Sequence, residues 1–94
     1  MYTLDVDGDG ANDVLTTSAH KFGIWWHKQR PAASTGGHPA FEQKELFPKL
    51  VSETHAAHLV DVDGDGLKDL VTGKRKYSHG LSEPGADMPA TVYW

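Results

Sequence analysis

Two nine-residue stretches gather most of the carboxylates in this sequence. Residues 5–13 read DVDGDGAND and residues 61–69 read DVDGDGLKD, so both follow the pattern Asp-x-Asp-Gly-Asp-Gly-x-x-Asp. Together they hold eight of the thirteen Asp and Glu residues of the 94-residue chain. Glycines at the fourth and sixth positions permit a curled backbone, which brings alternate aspartates together. Because each close carboxylate pair costs on the order of 4 kcal/mol at an intermediate dielectric, the pattern indicates a bound cation.

Calcium suits such a loop because it accepts roughly six to eight hard oxygens in flexible geometry, whereas magnesium requires a tighter octahedron and retains water. The expected ligands are the carboxylates at the first, third, fifth and ninth positions and the backbone carbonyl at the seventh. They are Asp5, Asp7, Asp9, Ala11 and Asp13 in one loop and Asp61, Asp63, Asp65, Leu67 and Asp69 in the other. The sequence therefore predicts two calcium ions per chain.

The acidic loops have two other possible interpretations, an EF-hand and a turn without metal. An EF-hand would need a Glu at position twelve and flanking helices, but this position is Thr16 or Thr72 and the flanks are rich in β-branched residues. A solvated Asp-Gly turn without metal would explain a single copy. Two copies with the same positions filled favour the metal loop.

Composition and charge exclude several kinds of site and partner for this chain. Formal net charge is −4, but apart from the eight loop aspartates the chain has five acids against nine Lys and Arg residues, so the acidity is local. The absence of cysteine excludes disulfides and thiolate zinc sites. We expect no membrane insertion, because the apolar runs are short, and we see no signal peptide in this chain. The basic triplet at Lys74, Arg75 and Lys76 is too small a patch to predict a nucleic-acid partner.

The segments after the two loops also match, which indicates an internal repeat with a period of about sixty residues. Val14-Leu15-Thr16 aligns with Leu70-Val71-Thr72, and after a gap Ile24-Trp25-Trp26 aligns with Val92-Tyr93-Trp94. Short apolar stretches before and after each loop predict a β-hairpin around it. We expect an all-β fold of two units, residues 1–50 with four strands and residues 51–94 with three.

The loops, together with the stretches SAHKFGIWWHKQ and DVDGDGLKDLVTGKRKYSHG, resemble the FG-GAP or VCBS repeats of integrin α-chain heads and bacterial secreted proteins. The resemblance implies β-propeller blades with a calcium loop between the first two strands, ligated through the same eight aspartates. It also implies an extracellular or periplasmic location. Phe22-Gly23 matches the phenylalanine-glycine signature, but Gly-Ala-Pro is absent, so the integrin adhesion sites are not carried over.

Two blades, the second without its fourth strand, would leave apolar faces uncovered, since a propeller closes with about four or more blades. We therefore expect either a homo-oligomer, a trimer or tetramer that closes one ring, or a fragment of a larger propeller. The predicted function is a non-catalytic, calcium-stabilised module for binding or assembly.

Aromatic and histidine side chains suggest a second function. A lectin-like module would use a surface of Trp26, His20, His27 and His79 to bind carbohydrate, and a protein ligand is the other candidate partner. A fragment of a secreted polysaccharide-active enzyme is a further alternative. No catalytic arrangement of residues stands apart from the acidic loops, so we predict that the chain is not an enzyme.

Overall fold

The computed structural model describes residues 1–77 and 80–94 and is built from short antiparallel strands. They are β1 (Tyr2–Leu4), β2 (Asp13–Thr17), β3 (Ile24–Gln29), β4 (Phe41–Leu46), β5 (Ala57–Val60), β6 (Asp69–Lys74) and β7 (Thr91–Tyr93). The described residues also form a 3-10 turn at Ala32–Ser34 and contain no α-helix. The all-β prediction is therefore confirmed. Within the described ranges, no helix has the length and apolar character needed to cross a membrane.

The first sheet has the order β1-β2-β3-β4, with each strand antiparallel to its neighbours. The acidic loop joins β1 to β2, and the register places Leu4 opposite Asp13 at the mouth of this hairpin. Leu15 pairs with Tyr2 on one side and with Trp26 on the other, so these three side chains share one face. Local pairing of consecutive strands is the simplest way to satisfy the backbone of a hairpin-rich sequence.

The second sheet, β5-β6-β7, repeats the first three strands in the same register. Leu4 opposite Asp13 in the first sheet corresponds to Val60 opposite Asp69 in the second. The third strands also match, since Thr16 pairs with Trp25 and Thr72 pairs with Tyr93. The predicted four-stranded and three-stranded sheets are confirmed for the residues that the structure describes, and the division into units 1–50 and 51–94 stays a prediction. Closure of a propeller ring stays a prediction.

The two sheets share one small core. Leu15, Ile24 and Val51 are buried at its centre. Partly buried side chains from both sheets pack against them, namely Tyr2, Trp26, Leu46, Leu59, Leu70 and Tyr93. A chain of this length buries only about 60 to 65 % of its unfolded surface, and the small core agrees with that expectation.

Residues 51–54 of the connector between the sheets are buried although three of these four residues are polar. Ser52 and Glu53 are fully buried, and Thr54 is 1 % exposed. Hydrogen bonds join the connector to the turn between β2 and β3: the Thr54 amide donates to the carbonyl of Ser18 at 2.9 Å and the Glu53 amide donates to the carbonyl of Lys21 at 3.2 Å. This segment therefore holds the two sheets together, a role that its composition alone does not indicate.

Candidate metal centre

In the first acidic loop, the carboxylate of Asp5 organises the turn. Its Oδ1 accepts the amides of Gly8 at 2.7 Å and Asp9 at 3.1 Å, and its Oδ2 accepts the amide of Gly10 at 2.8 Å. Both glycines have positive φ, 74° and 87°, a region that residues with a Cβ seldom adopt. Three donors on one carboxylate fix the curl that the alternating aspartates require.

Asp13 closes this loop at the start of β2 and is fully buried. Its Oδ1 accepts the amide of Gln29 at 2.7 Å, and its Oδ2 accepts the indole N–H of Trp26 at 2.8 Å and the amide of Val6 at 3.3 Å. Strand β3 therefore supports the ninth loop position directly. Each buried carboxylate oxygen has a donor, as buried polar groups require.

The grouping of carboxylates fits a calcium ion. One oxygen from each of Asp5, Asp7 and Asp13 lies within 4.8 Å of the other two. Two oxygens on one calcium ion can stand at most about 5.2 Å apart, because each Ca–O distance is about 2.3 to 2.6 Å. These three are hard carboxylate donors at compatible spacing. Asp9 lies outside this group and accepts the amide of Ala11 at 2.9 Å; ligation by Asp9 and by the Ala11 carbonyl stays a prediction.

The second loop repeats the first closely. Asp61 accepts the amides of Gly64 at 2.7 Å, Asp65 at 3.1 Å and Gly66 at 2.8 Å. Here the carboxylates within 4.8 Å of one another belong to Asp61, Asp63 and Asp65.

At the end of this loop, Asp69 differs from Asp13. It is only partly buried and lies outside the three-carboxylate group, and its Oδ2 accepts the amide of Val62 at 2.9 Å. The Leu67 amide donates to Asp65 at 2.8 Å, while ligation by Asp69 and by the Leu67 carbonyl stays a prediction. The two hairpins therefore share one turn geometry but differ in how far the ninth position is buried.

A family model described as an FG-GAP-like repeat matches residues 5–72, from the first aspartate of one loop to β6 beyond the other. The chain belongs to the FG-GAP-like repeat family. Membership agrees with the repeated hairpin geometry and indicates a β-propeller repeat module. No curated protein and no solved structure matches the chain.

The two loops of this FG-GAP-like repeat chain differ in one lysine side chain, which contacts the first loop. The ammonium of Lys28 on β3 contacts the carboxylate of Asp7 and lies 2.8 Å from that of Asp9. The hydrogen bond with Asp7 is the main cause that raises the pKa of Lys28 above its ordinary value, and the bond to Asp9 adds to it. The same lysine lowers the pKa of Asp9. Among residues 1–77 and 80–94, the second loop has no matching ion pair.

Lys28 is not among the site residues predicted from the sequence. A signal was present, because Lys28 follows Trp26 by two positions and so shares its face of β3, the face that meets Asp13. Without the cross-strand register, however, the distance from Lys28 to the loop could not be inferred.

Replacing Lys28 should change calcium affinity at the first loop. Lys28→Met removes a cation that calcium must displace from Asp7 and Asp9, so we expect affinity to rise about threefold to tenfold, the range for a partly exposed ion pair. Calorimetric titration in an Asp61→Asn background would report the first loop alone. Lys44→Met is the matched control, because Lys44 also lies over the Trp26 ring, at 4.8 Å. Unchanged or weaker affinity in Lys28→Met would contradict the prediction.

Acid should destabilise the calcium-free protein through Asp61. Backbone donation, first from Gly66 and then from Gly64 and Asp65, lowers the pKa of Asp61 below its ordinary value. A carboxyl group with a depressed folded-state pKa stabilises the fold above its unfolded pKa, about 3.9, and loses this contribution as pH falls through the folded value. Thermal melts in chelator should therefore show a loss of stability below about pH 4. The loss should be smaller in Asp61→Asn, and identical pH profiles would contradict this account.

Trp26 and His27, two residues of the predicted carbohydrate surface, lie on opposite faces of β3. Trp26 is partly buried against the core, donates to Asp13 and lies beneath the Lys44 ammonium. His27 lies on the opposite face of β3, where its Nε2 is 3.0 Å from the hydroxyl of Thr16. His20 Nδ1 is 3.0 Å from a carboxylate oxygen of Glu83, and His79 lies outside the described residues. Ligand binding by these four residues stays a prediction.

Proposed function

We propose that this chain is a calcium-binding, calcium-stabilised β-propeller repeat module that serves in binding or assembly and is not catalytic. The observation that carries the proposal is the recurrence of one turn geometry, in which three backbone amides hold the first aspartate of each loop. In each loop three carboxylates also come within 4.8 Å, at positions one, three and nine in the first and at positions one, three and five in the second. Oxygen-only donors of this number and spacing suit calcium better than a transition metal.

The ion would supply two positive charges among carboxylates that otherwise repel one another. Residues of the chain itself shape the loops and connect the first loop to the sheet. Asp5 and Asp61 shape each turn, and Asp13 connects its loop to β3 through Trp26 and Gln29. Because the loop is assembled only in the folded hairpin, calcium binding free energy would add to folding free energy.

A calorimetric calcium titration of chelator-stripped protein tests the metal sites. We expect two sites per chain, one site in Asp5→Asn, one in Asp61→Asn and none in the double variant. Asp87→Asn, an exposed aspartate outside both loops, should retain both sites. Retention of both sites in the double variant, or absence of binding by the parent protein, would overturn the proposal.

Exposed apolar side chains near the last strand support the assembly role. Val92 is 79 % exposed, Trp94 is 70 % exposed, and β7 pairs on one side only. We propose that this edge and the outer sheet faces pack against further blades, supplied by a trimer or tetramer of the chain or by a longer chain that contains it. An extracellular or periplasmic setting, where calcium is plentiful, suits such a module.

Sedimentation equilibrium in calcium chloride separates the two sources of blades. A concentration-dependent shift to trimer or tetramer supports closure by copies of this chain. A compact, stable monomer at micromolar concentration would exclude self-assembly. The expected matched change is loss of association in Val92→Lys, which places a charge at the free edge, but not in Leu81→Lys, whose similarly exposed apolar side chain lies outside the strands and the acidic loops.

A further inference from the structure

The two sheets stack in a single direction. Each sheet has a front face, which bears the ninth aspartate of its acidic loop, Asp13 or Asp69, and an opposite back face. The partly buried side chains that pack against the core are Tyr2, Trp26 and Leu46 from the front face of the first sheet and Leu59, Leu70 and Tyr93 from the back face of the second. The front face of one sheet is therefore covered by the back face of the next.

The front face of the second sheet and the back face of the first have no such cover. Among residues 1–77 and 80–94 there is no further sheet to pack on either of them. On the front face of the second sheet, Val60, Val92 and Trp94 are exposed. The residues at matching positions of the two back faces are Thr3 and Leu59, Val14 and Leu70, and Trp25 and Tyr93. A second copy of the chain therefore presents, on the back face of its first sheet, a counterpart of the surface that already packs on a front face within the chain.

Coverage of the front face coincides with support of the ninth aspartate. Asp13 is fully buried, accepts the indole N–H of Trp26 at 2.8 Å and belongs to the three-carboxylate group of its loop. Asp69, on the uncovered face, is only partly buried and lies outside the three-carboxylate group of the second loop. The ninth position therefore joins the other carboxylates in the loop whose sheet is covered.

Trp94 is the counterpart of Trp26 in the second sheet. In the first sheet, Trp26 lies opposite Leu15. The same register in the second sheet places Trp94, which directly follows β7, level with Val71. Trp94 and Asp69 border one mostly apolar cavity of about 240 Å³, but in the described part of the chain no hydrogen bond joins them, and Trp94 is 70 % exposed. An indole donor equivalent to that of the first loop is therefore close to the second loop without being engaged there.

A sheet packed on this front face would remove water from around Trp94, and its indole N–H would then require an acceptor. Asp69 is the charged acceptor that borders the same cavity. We infer that a second copy of this chain docks the back face of its first sheet on the front face of the second sheet, and that this contact completes the second metal loop by directing the Trp94 indole to Asp69. The inference rests on the proposed calcium sites and on assembly by copies of the chain. Trp94 is a positioning residue, since it orients a carboxylate and does not contact the ion.

Calcium affinity at the second loop and self-association are then linked, and each strengthens the other by the same factor. Calcium titration of Asp5→Asn, in which only the second loop binds, tests this at low micromolar and at submillimolar protein concentration. We expect at least about tenfold higher affinity at the higher concentration, as for one hydrogen bond to a charged group. The indole N–H resonance of Trp94 should shift under the same conditions.

Trp94→Phe in the same Asp5→Asn background separates positioning from packing. It keeps an aromatic surface but removes the indole N–H, so association should persist while second-loop affinity becomes independent of protein concentration. Trp26→Phe in an Asp61→Asn background is the matched control. Because the first loop is already covered within the chain, this control should lower first-loop affinity equally at both concentrations.

Mixing of two variants identifies the docking faces. Thr3→Lys places a charge on the back face of the first sheet and Val92→Lys places one on the front face of the second, and both positions are exposed, so both variants should fold. Each variant alone should be monomeric by sedimentation equilibrium in calcium chloride. An equimolar mixture should form a dimer and nothing larger, because one intact front face then meets one intact back face.

Three results would overturn the inference: a parent chain that is monomeric at both concentrations, an equimolar mixture that stays monomeric, or second-loop affinity that does not change with protein concentration. Two calcium sites in the parent protein beside any of these results would leave the proposed metal sites intact. Absence of calcium binding by the parent protein would overturn the proposed metal sites and this inference together.

Discussion

Chelation of calcium is expected to lower the melting temperature of this protein by roughly 10 to 20 °C for each site that was saturated. At a free calcium concentration 100-fold above its dissociation constant, one site adds about 2.7 kcal/mol to the free energy of unfolding. A domain of this size shifts by about 4 to 8 °C for each kcal/mol. The expected effect is large because the core is small and the metal is proposed to neutralise carboxylates that repel each other in the folded hairpin.

Differential scanning calorimetry with calcium, with magnesium at the same concentration and with chelator would measure this effect. Magnesium should stabilise the protein much less, because the loops offer several carboxylates in a flexible arrangement rather than a rigid octahedron. The Asp5→Asn and Asp61→Asn variants should each lose part of the calcium-dependent shift, and Asp87→Asn should lose none. Identical melting temperatures in calcium and chelator would contradict a structural role for the metal.

Gly23→Ala is expected to be the most damaging single substitution outside the acidic loops. A Cβ at this position would lie 2.2 Å from two atoms of the Trp25 ring, and the backbone φ is +144°. Overpacking of a buried site typically costs about 1 to 3 kcal/mol, and an unfavourable φ costs about as much again. We expect the free energy of unfolding to fall by about 3 to 5 kcal/mol, with loss of soluble folded protein at physiological temperature.

Chemical denaturation of Gly23→Ala and of Gly37→Ala distinguishes the cost of the clash with Trp25 from the cost of the positive φ. Gly37 also has positive φ, +84°, but a Cβ there would have no heavy atom within 4 Å. The control should lose only the backbone contribution, about 1 kcal/mol. Combining Gly23→Ala with Trp25→Ala should restore part of the lost stability by removing the clash. Equal costs at Gly23 and Gly37 would show that contact with the Trp25 ring is not the reason for glycine in the Phe22-Gly23 pair.

The repeat, the strand class and the acidic loops follow from the amino-acid sequence alone. These features depend on interactions between near neighbours in the chain: glycines that permit positive φ, aspartates at alternate positions, and β-branched residues on either side of a turn. The same nine-residue pattern therefore produced nearly the same hydrogen bonds to Asp5 and Asp61. Local chemistry of this kind can be inferred without knowledge of the rest of the fold.

The distant side chains that contact the first loop are known from the three-dimensional fold and not from the sequence pattern. Trp26 supports Asp13 and Lys28 enters the first loop because antiparallel pairing of β2 with β3 brings them there. Burial of Glu53 depends on packing of the connector against two other segments, and nothing in its neighbouring residues indicates it. Contacts between residues far apart in sequence depend on the register and packing of whole strands, which a pattern of residue types cannot specify. The acidic loops could therefore be predicted, whereas the residues that support the first loop and the burial of Glu53 could not.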